Sequence, residues 1–148
     1  MEHYKKEQKW ELRYVNKDGV VKVCYPRSKE MKDEQLSIAK ERGLRVLSCK
    51  KLYPFNTYGN QHNFELINNI CHNAMYDMDM GEKPYDEEEY ERLSVLKDKA
   101  EKYWMLPLPV AWLPWEDWKD AKELSQMAII HRQNACIEAG RPDLVTYC

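Results

Sequence analysis

The sequence predicts an α+β fold: a small antiparallel ββαβ sheet with strand order 2-1-3, followed by a three-helix C-terminal portion. Three observations predict it. Apolar residues alternate at period two on both sides of the turn Asn16-Lys17-Asp18-Gly19. From residue 64 onward they recur at helical spacing instead. Charge divides in nearly the same place: residues 1–60 hold 14 Lys/Arg against 8 Asp/Glu, a balance of +6, and residues 61–148 hold 9 against 17, a balance of −8. The expectation is a single domain over 1–148, built from a basic ββαβ module over 10–52 and an acidic helical portion over 64–140. A chain of 148 residues is long enough to bury a core without metal or disulfide staples.

Trp10, Leu12 and Tyr14 alternate with Glu11, Arg13 and Val15, as a half-buried strand requires. Asp18-Gly19 supplies the positive φ of a hairpin turn, and Val21, Val23 and Tyr25 mark one face of the return strand, which Pro26 ends. Ser28 reads as the N-cap of a helix over 29–42 and Gly43 as its stop. Leu44 to Leu52 gives the third strand, and the basic residues Arg13, Lys22, Arg45 and Lys51 are expected on the sheet face away from the helix. Residues 53–63 read as a loop rich in amides and aromatics. Phe64, Ile67, Cys71, Ala74 and Met78 then mark a helix that Gly81 ends. Asp86 with Glu89 forms a capping box for the next helix, with Tyr85 and Tyr90 as its hydrophobic staple. Pro107 to Pro114 reads as an extended connector, since each proline removes a donor and biases its predecessor away from helix. The last helix runs from Pro114 to Gly140, and the tail from Arg141 to Cys148 reads as a short extended piece.

Composition excludes several classes. No apolar run reaches the roughly 18 residues of a membrane span, and the charged start Met1-Glu2-His3-Tyr4-Lys5-Lys6-Glu7 lacks the apolar stretch of a signal peptide. The protein is expected in a cytoplasm, with no membrane partner. Five cysteines at irregular spacing (Cys24, Cys49, Cys71, Cys136, Cys148) therefore read as thiols, Cys148 being the most oxidisable. No metal is expected: there is no Cys-x-x-Cys, adjacent Cys71 and His72 diverge by about 100° on a helix, and His131 and Cys136 by about 140°. No phosphate-cradling glycine loop or nucleophile elbow is present, so no cofactor and no catalytic residue are assigned.

Polar surfaces on two helices carry the functional expectation. Asn69, His72 and Asn73 give one helix face amides and an imidazole where Lys and Glu are the usual solvent-facing choices. His131, Asn134 and Glu138 fall at i, i+3 and i+7 on the last helix, with Arg141 just beyond and Glu138 placed to orient His131. Beside them Ala121, Ser125, Ala128, Ala135 and Ala139 form a small-residue face interrupted by Arg132, which calls for an acidic or phosphate partner. Trp112, Trp115 and Trp118, with Trp104 nearby, are the densest aromatic cluster and read as core first and interface second. The expected function is a non-catalytic binding protein: an accessory protein of bacteriophage or mobile-element style that binds or inhibits a host protein, or sequesters a small polar or anionic ligand. Self-association as a homodimer is expected with it. The first alternative is nucleic-acid binding through Arg13, Lys22, Arg45 and Lys51. The second is a small hydrolase or transferase using His131 or His72 as general base.

Overall fold

The structure, a computed structural model, describes residues 9–141. The expectations for the N-terminal charged segment, the tail beyond Arg141 and Cys148 lie outside the described residues. The chain forms β1 (Trp10–Val15), β2 (Val21–Cys24), α1 (Lys29–Glu41), β3 (Arg45–Asn56), α2 (Thr57–Asp79), α3 (Glu87–Trp104), β4 (Val110–Pro114) and α4 (Trp115–Glu138). It divides into two compact units. One holds the chain up to Phe55 together with Val110–Trp118; the other holds Asn56–Pro109 together with the chain from Lys119 onward.

The first unit is built on an antiparallel sheet of four strands in the order β2-β1-β3-β4. β1 pairs antiparallel with β2 through Leu12↔Cys24 and Tyr14↔Lys22, and with β3 through Trp10↔Lys51 and Leu12↔Cys49. The β1–β2 turn closes as its residues dictate: the Asn16 Oδ1 accepts from the N–H of Asp18 and of Val20, both at 2.9 Å, and Gly19 takes φ +78°. Ser28 caps α1, its hydroxyl accepting from the Met31 N–H at 3.1 Å, and α1 rests on β1. Lys32 extends from α1 over the Trp10 ring, 4.4 Å from its centroid. Leu12, Ala39, Leu52, Phe55, Ala111 and Leu113 are buried.

The second unit packs α2 against α3, with the greater part of α4 belonging to it. Phe64, Ile67, Cys71, Leu93, Ala100, Tyr103, Ala121, Leu124 and Ala128 are buried, and Phe64 meets Tyr103 with ring centroids 5.8 Å apart. The polar tips of this core are satisfied: the Tyr103 hydroxyl donates to Asp120 at 2.7 Å and the Thr57 hydroxyl to the Pro107 carbonyl at 2.6 Å. Asp86 caps α3 by accepting from the Glu89 N–H, and the Tyr85 and Tyr90 rings meet at 5.5 Å, tilted by 41°, across the cap.

The ββαβ-then-three-helices architecture is overturned at two places. Val110–Pro114, expected as a connector, is a fourth strand beside β3, so the sheet order is 2-1-3-4 and sheet and helices interleave along the chain. Its one proline, Pro114, is tolerable because it ends a strand at the sheet edge, where a missing N–H need not break a ladder. The expected loop over 53–63 does not exist either. β3 runs straight through Pro54 to Asn56, and α2 begins at Thr57, with the Asn56 side chain accepting from the Gly59 N–H at 2.9 Å. Among the described residues no helix is long and apolar enough to cross a membrane.

Candidate functional site

An open site lies in the first unit, where the end of β3 meets the passage from β4 into α4. A strand alternates its side chains, so Lys51, Tyr53 and Phe55 project to one side of β3. Pro114 ends β4 and the chain turns at once into α4, whose first turn carries Trp115, Glu116, Asp117 and Trp118. Acidic residues suit this place, because the unpaired N–H groups of a helix start leave it electropositive. Trp118 is anchored: its indole N–H donates to the Pro54 carbonyl at 2.9 Å, and Phe55 meets its ring edge to face at 6.4 Å. Trp115 lies nearly parallel to Trp118, with centroids 5.4 Å apart and 9° between planes, and Tyr53 meets it at 5.4 Å and 66°. Lys51 places its Nζ 5.6 Å from the Tyr53 ring centroid.

These residues wall an open cavity of about 370 Å³ lined by Lys50, Lys51, Tyr53, Pro114, Trp115, Glu116 and Asp117. Trp115 is backed by two rings yet remains 49% exposed. The arrangement offers a fixed aromatic face with cations from one strand and carboxylates from one helix turn at its rim. Such a surface can stack a flat ring and both donate and accept hydrogen bonds around its edge. No His, Cys or Ser lines it.

The residues expected from sequence to bind a ligand or partner fall elsewhere, on the second unit. Asn69, His72 and Asn73 stand on the exposed side of α2, His72 lying roughly parallel to Tyr76 at 6.5 Å and 26°. His131, Asn134 and Glu138 stand on the exposed side of α4, and Arg141 beyond its end is exposed as well. Arg132 is half-buried, and its Nη1 donates to the Asn63 Oδ1 at 2.6 Å. Asn63 is itself buried and donates to the Ser125 hydroxyl at 2.6 Å, and Ser125 donates on to Asn60. Of the small-residue face, Ala121, Ser125 and Ala128 are buried and Ala135 and Ala139 exposed. The Asn63–Ser125–Arg132 tie holds α2 to α4, which is a structural use of polar groups.

Strand register separates the four basic residues expected to share a sheet face. Lys22 pairs with Tyr14 and Lys51 with Trp10, whereas Arg13 pairs with Val23 and Arg45 with Val15. Paired residues share a face, so Lys22 and Lys51 stand with Trp10 and Tyr14, on the other side of the sheet from Arg13 and Arg45. Arg13 is further engaged by Glu11, its Nε donating to Oε1 at 2.9 Å, and that bond raises the guanidinium's pKa.

Among the described residues no group of three His, Cys, Asp or Glu side chains is placed to hold a metal ion. Cys24, Cys49 and Cys71 are free thiols, and burial raises the pKa of Cys24 and of Cys71. The expected tryptophan cluster also divides, Trp112, Trp115 and Trp118 in the first unit and Trp104 in the second. Sequence reasoning missed Lys50, Lys51, Tyr53, Glu116 and Asp117 as companions of Trp115. The run Lys51-x-Tyr53-x-Phe55 carried the signal, but a loop assignment from residue 53 concealed its alternation. A scan with family models, a search of curated proteins and a search of solved structures each returned no match to this chain.

Proposed function

We propose that this chain is a non-catalytic binding protein whose contact surface is the aromatic cavity between β3 and the first turn of α4. The observation that carries the reading is Trp115, half exposed while held by Trp118 and Tyr53. An indole fixed in the open forgoes most of the hydrophobic stabilisation that burying it would give, on the order of 25 cal/mol per Å² of apolar surface. A ligand that covers it recovers that term with little loss of side-chain freedom, because the rings are already ordered. The ligand suited to the cavity is a small ring-bearing polar molecule, or a ring side chain of a protein partner, with hydrogen-bonding groups at its edge to meet Lys50, Lys51 and Glu116. Nucleic-acid binding through the sheet draws less support, since its four cations divide between two faces.

The test is an NMR titration of ¹⁵N-labelled protein with three probes in turn: a nucleoside monophosphate, a monosaccharide and a tryptophan-containing peptide. Each is taken to about 5 mM, enough to register binding near −4 kcal/mol. One class is expected to shift the Trp115 indole N–H and the Lys50–Tyr53 amides saturably, and to lose that effect in Trp115→Ala. Silence from all three, or shifts that persist in both Trp115→Ala and Tyr53→Ala, would overturn the reading.

A further inference from the structure

We propose that β2 is a pairing edge for a second copy of this chain, in an antiparallel register centred on Val23, an interaction separate from the aromatic cavity. β2 is the terminal strand of the sheet. The Asn16 N–H bonds the Val20 carbonyl at 2.9 Å and the Trp10 N–H bonds the Pro26 carbonyl at 3.2 Å. Antiparallel ladders alternate, so residues 20, 22, 24 and 26 turn their backbone groups toward β1, while Val21, Val23 and Tyr25 turn theirs outward. The same three residues are exposed on their side chains, at 51%, 38% and 43%. An edge with open donors and apolar side chains is a template for strand addition, and natural proteins normally blunt such edges.

Self-complementarity selects a second copy as the occupant. With Val23 opposite itself on a two-fold axis, Val21 of each copy faces Tyr25 of the other, and all three outward residues are used. About six backbone hydrogen bonds then form between the copies. Period-two alternation places Val21, Val23 and Tyr25 of both copies in one apolar stripe. Lys22, the strand's single charge, faces Cys24 and not its own symmetry mate. A register centred on Lys22 would oppose two lysines and direct inward-facing groups at one another. The Val23 register also brings the Asn16–Val20 turn of one copy beside Pro26 and Arg27 of the other, so that exposed Asp18 approaches exposed Arg27. A contact this short buries less than about 1,200 Å² and belongs with weak, concentration-dependent dimers.

Salt separates this association from one driven by charge. The described residues of the first unit carry 12 Lys/Arg against 8 Asp/Glu, a balance of +4. Two such units meeting edge to edge repel at long range, and salt screens that repulsion together with the exposed Asp18–Arg27 approaches, so the pair responds only weakly to salt. A basic surface of one copy meeting an acidic surface of another would be loosened by salt.

The test joins sedimentation equilibrium of the full chain, from about 5 to 500 µM, with amide hydrogen exchange at both ends of that range. The mass should move from monomer toward dimer, and the amides of residues 21, 23 and 25 should gain protection only at high concentration. The amides of residues 22 and 24 should be protected throughout. Val23→Pro removes only an outward N–H, and Val23→Lys sets two cations on the axis; each should weaken dimerisation at least tenfold with far-UV circular dichroism unchanged. Should either variant unfold, the wild-type exchange pattern still decides. The proposal is overturned by free exchange of residues 21, 23 and 25 at the highest concentration. A dimer protected elsewhere, or one dissolved by 0.5 M salt, would overturn it equally.

Discussion

Asn63 and Asn68 sit five positions apart on α2 and should respond to the same substitution with opposite signs. Asn63 is 6% exposed, donates to Ser125 and accepts from Arg132, so Asn63→Leu takes the acceptor from a half-buried guanidinium and leaves the Ser125 hydroxyl bonded to Asn60 alone. An unsatisfied group costs about 1–3 kcal/mol, and urea denaturation should show a loss of about 1–3 kcal/mol. The Asn68 Oδ1 is buried with no hydrogen-bond partner. Asn68→Leu removes an acceptor already deprived of water and should stabilise by about 1 kcal/mol in the same measurement. Thiols set a second residue-scale expectation. Burial lifts the pKa of Cys24 and of Cys71 above the ordinary 9.0. A raised folded-state pKa contributes stability that is fully present below the unfolded value and is lost as pH rises through the folded one. Stability should therefore decline above about pH 9 more steeply in wild type than in Cys24→Ala with Cys71→Ala, as urea midpoints at pH 8 and pH 10 would record.

At the scale of elements, local chemistry was legible and long-range pairing was not. Ser28, Asp86, the Tyr85–Tyr90 staple and the Asn16–Gly19 turn act within a few residues of themselves, although the capping box forms only by half: Asp86 accepts from the Glu89 N–H while the Glu89 carboxylate accepts from Arg92. Asp86→Ala should accordingly cost about 1 kcal/mol, visible as a lower thermal midpoint with the α3 amides losing protection first. β4 carried no such local mark. Val110–Pro114 is bounded by proline, a residue that argues against a strand unless the strand is an edge, and only its place beside β3 shows that it is one. The first turns of α2 were concealed for a related reason. Thr57, Gly59, Asn60 and Asn63 are poor helix formers, and they are helical because Asn56 caps them and Ser125 and Arg132 occupy their amides. Of the candidate cavity, the tryptophans were legible and their strand companions were not.

For the whole molecule, the decisive feature is that the first unit is discontinuous in sequence. It lacks a strand and both anchoring tryptophans until the chain returns at Val110–Trp118. A fragment ending at Asn56 leaves Tyr53 and Phe55 without Trp115 and Trp118, and β3 without β4. It should show collapsed amide dispersion in a ¹H–¹⁵N spectrum, whereas the full chain should show a folded one. The charge division seen along the sequence survives this rearrangement: the described residues of the first unit balance to +4, and those of the second, with 9 Lys/Arg against 14 Asp/Glu, to −5. Long-range steering should favour anionic ligands at the first unit and weaken with ionic strength.

Tyr53 and Trp115 stand 62 positions apart. At a ribosomal pace of about 5–20 residues per second, roughly 3–12 s pass between synthesis of one wall of the cavity and the other. Throughout that interval the nascent sheet shows bare aromatic rings to whatever surrounds it. Chaperone capture of stalled chains should thus concentrate on those halted between these two positions and fall away once the Trp115 indole has emerged.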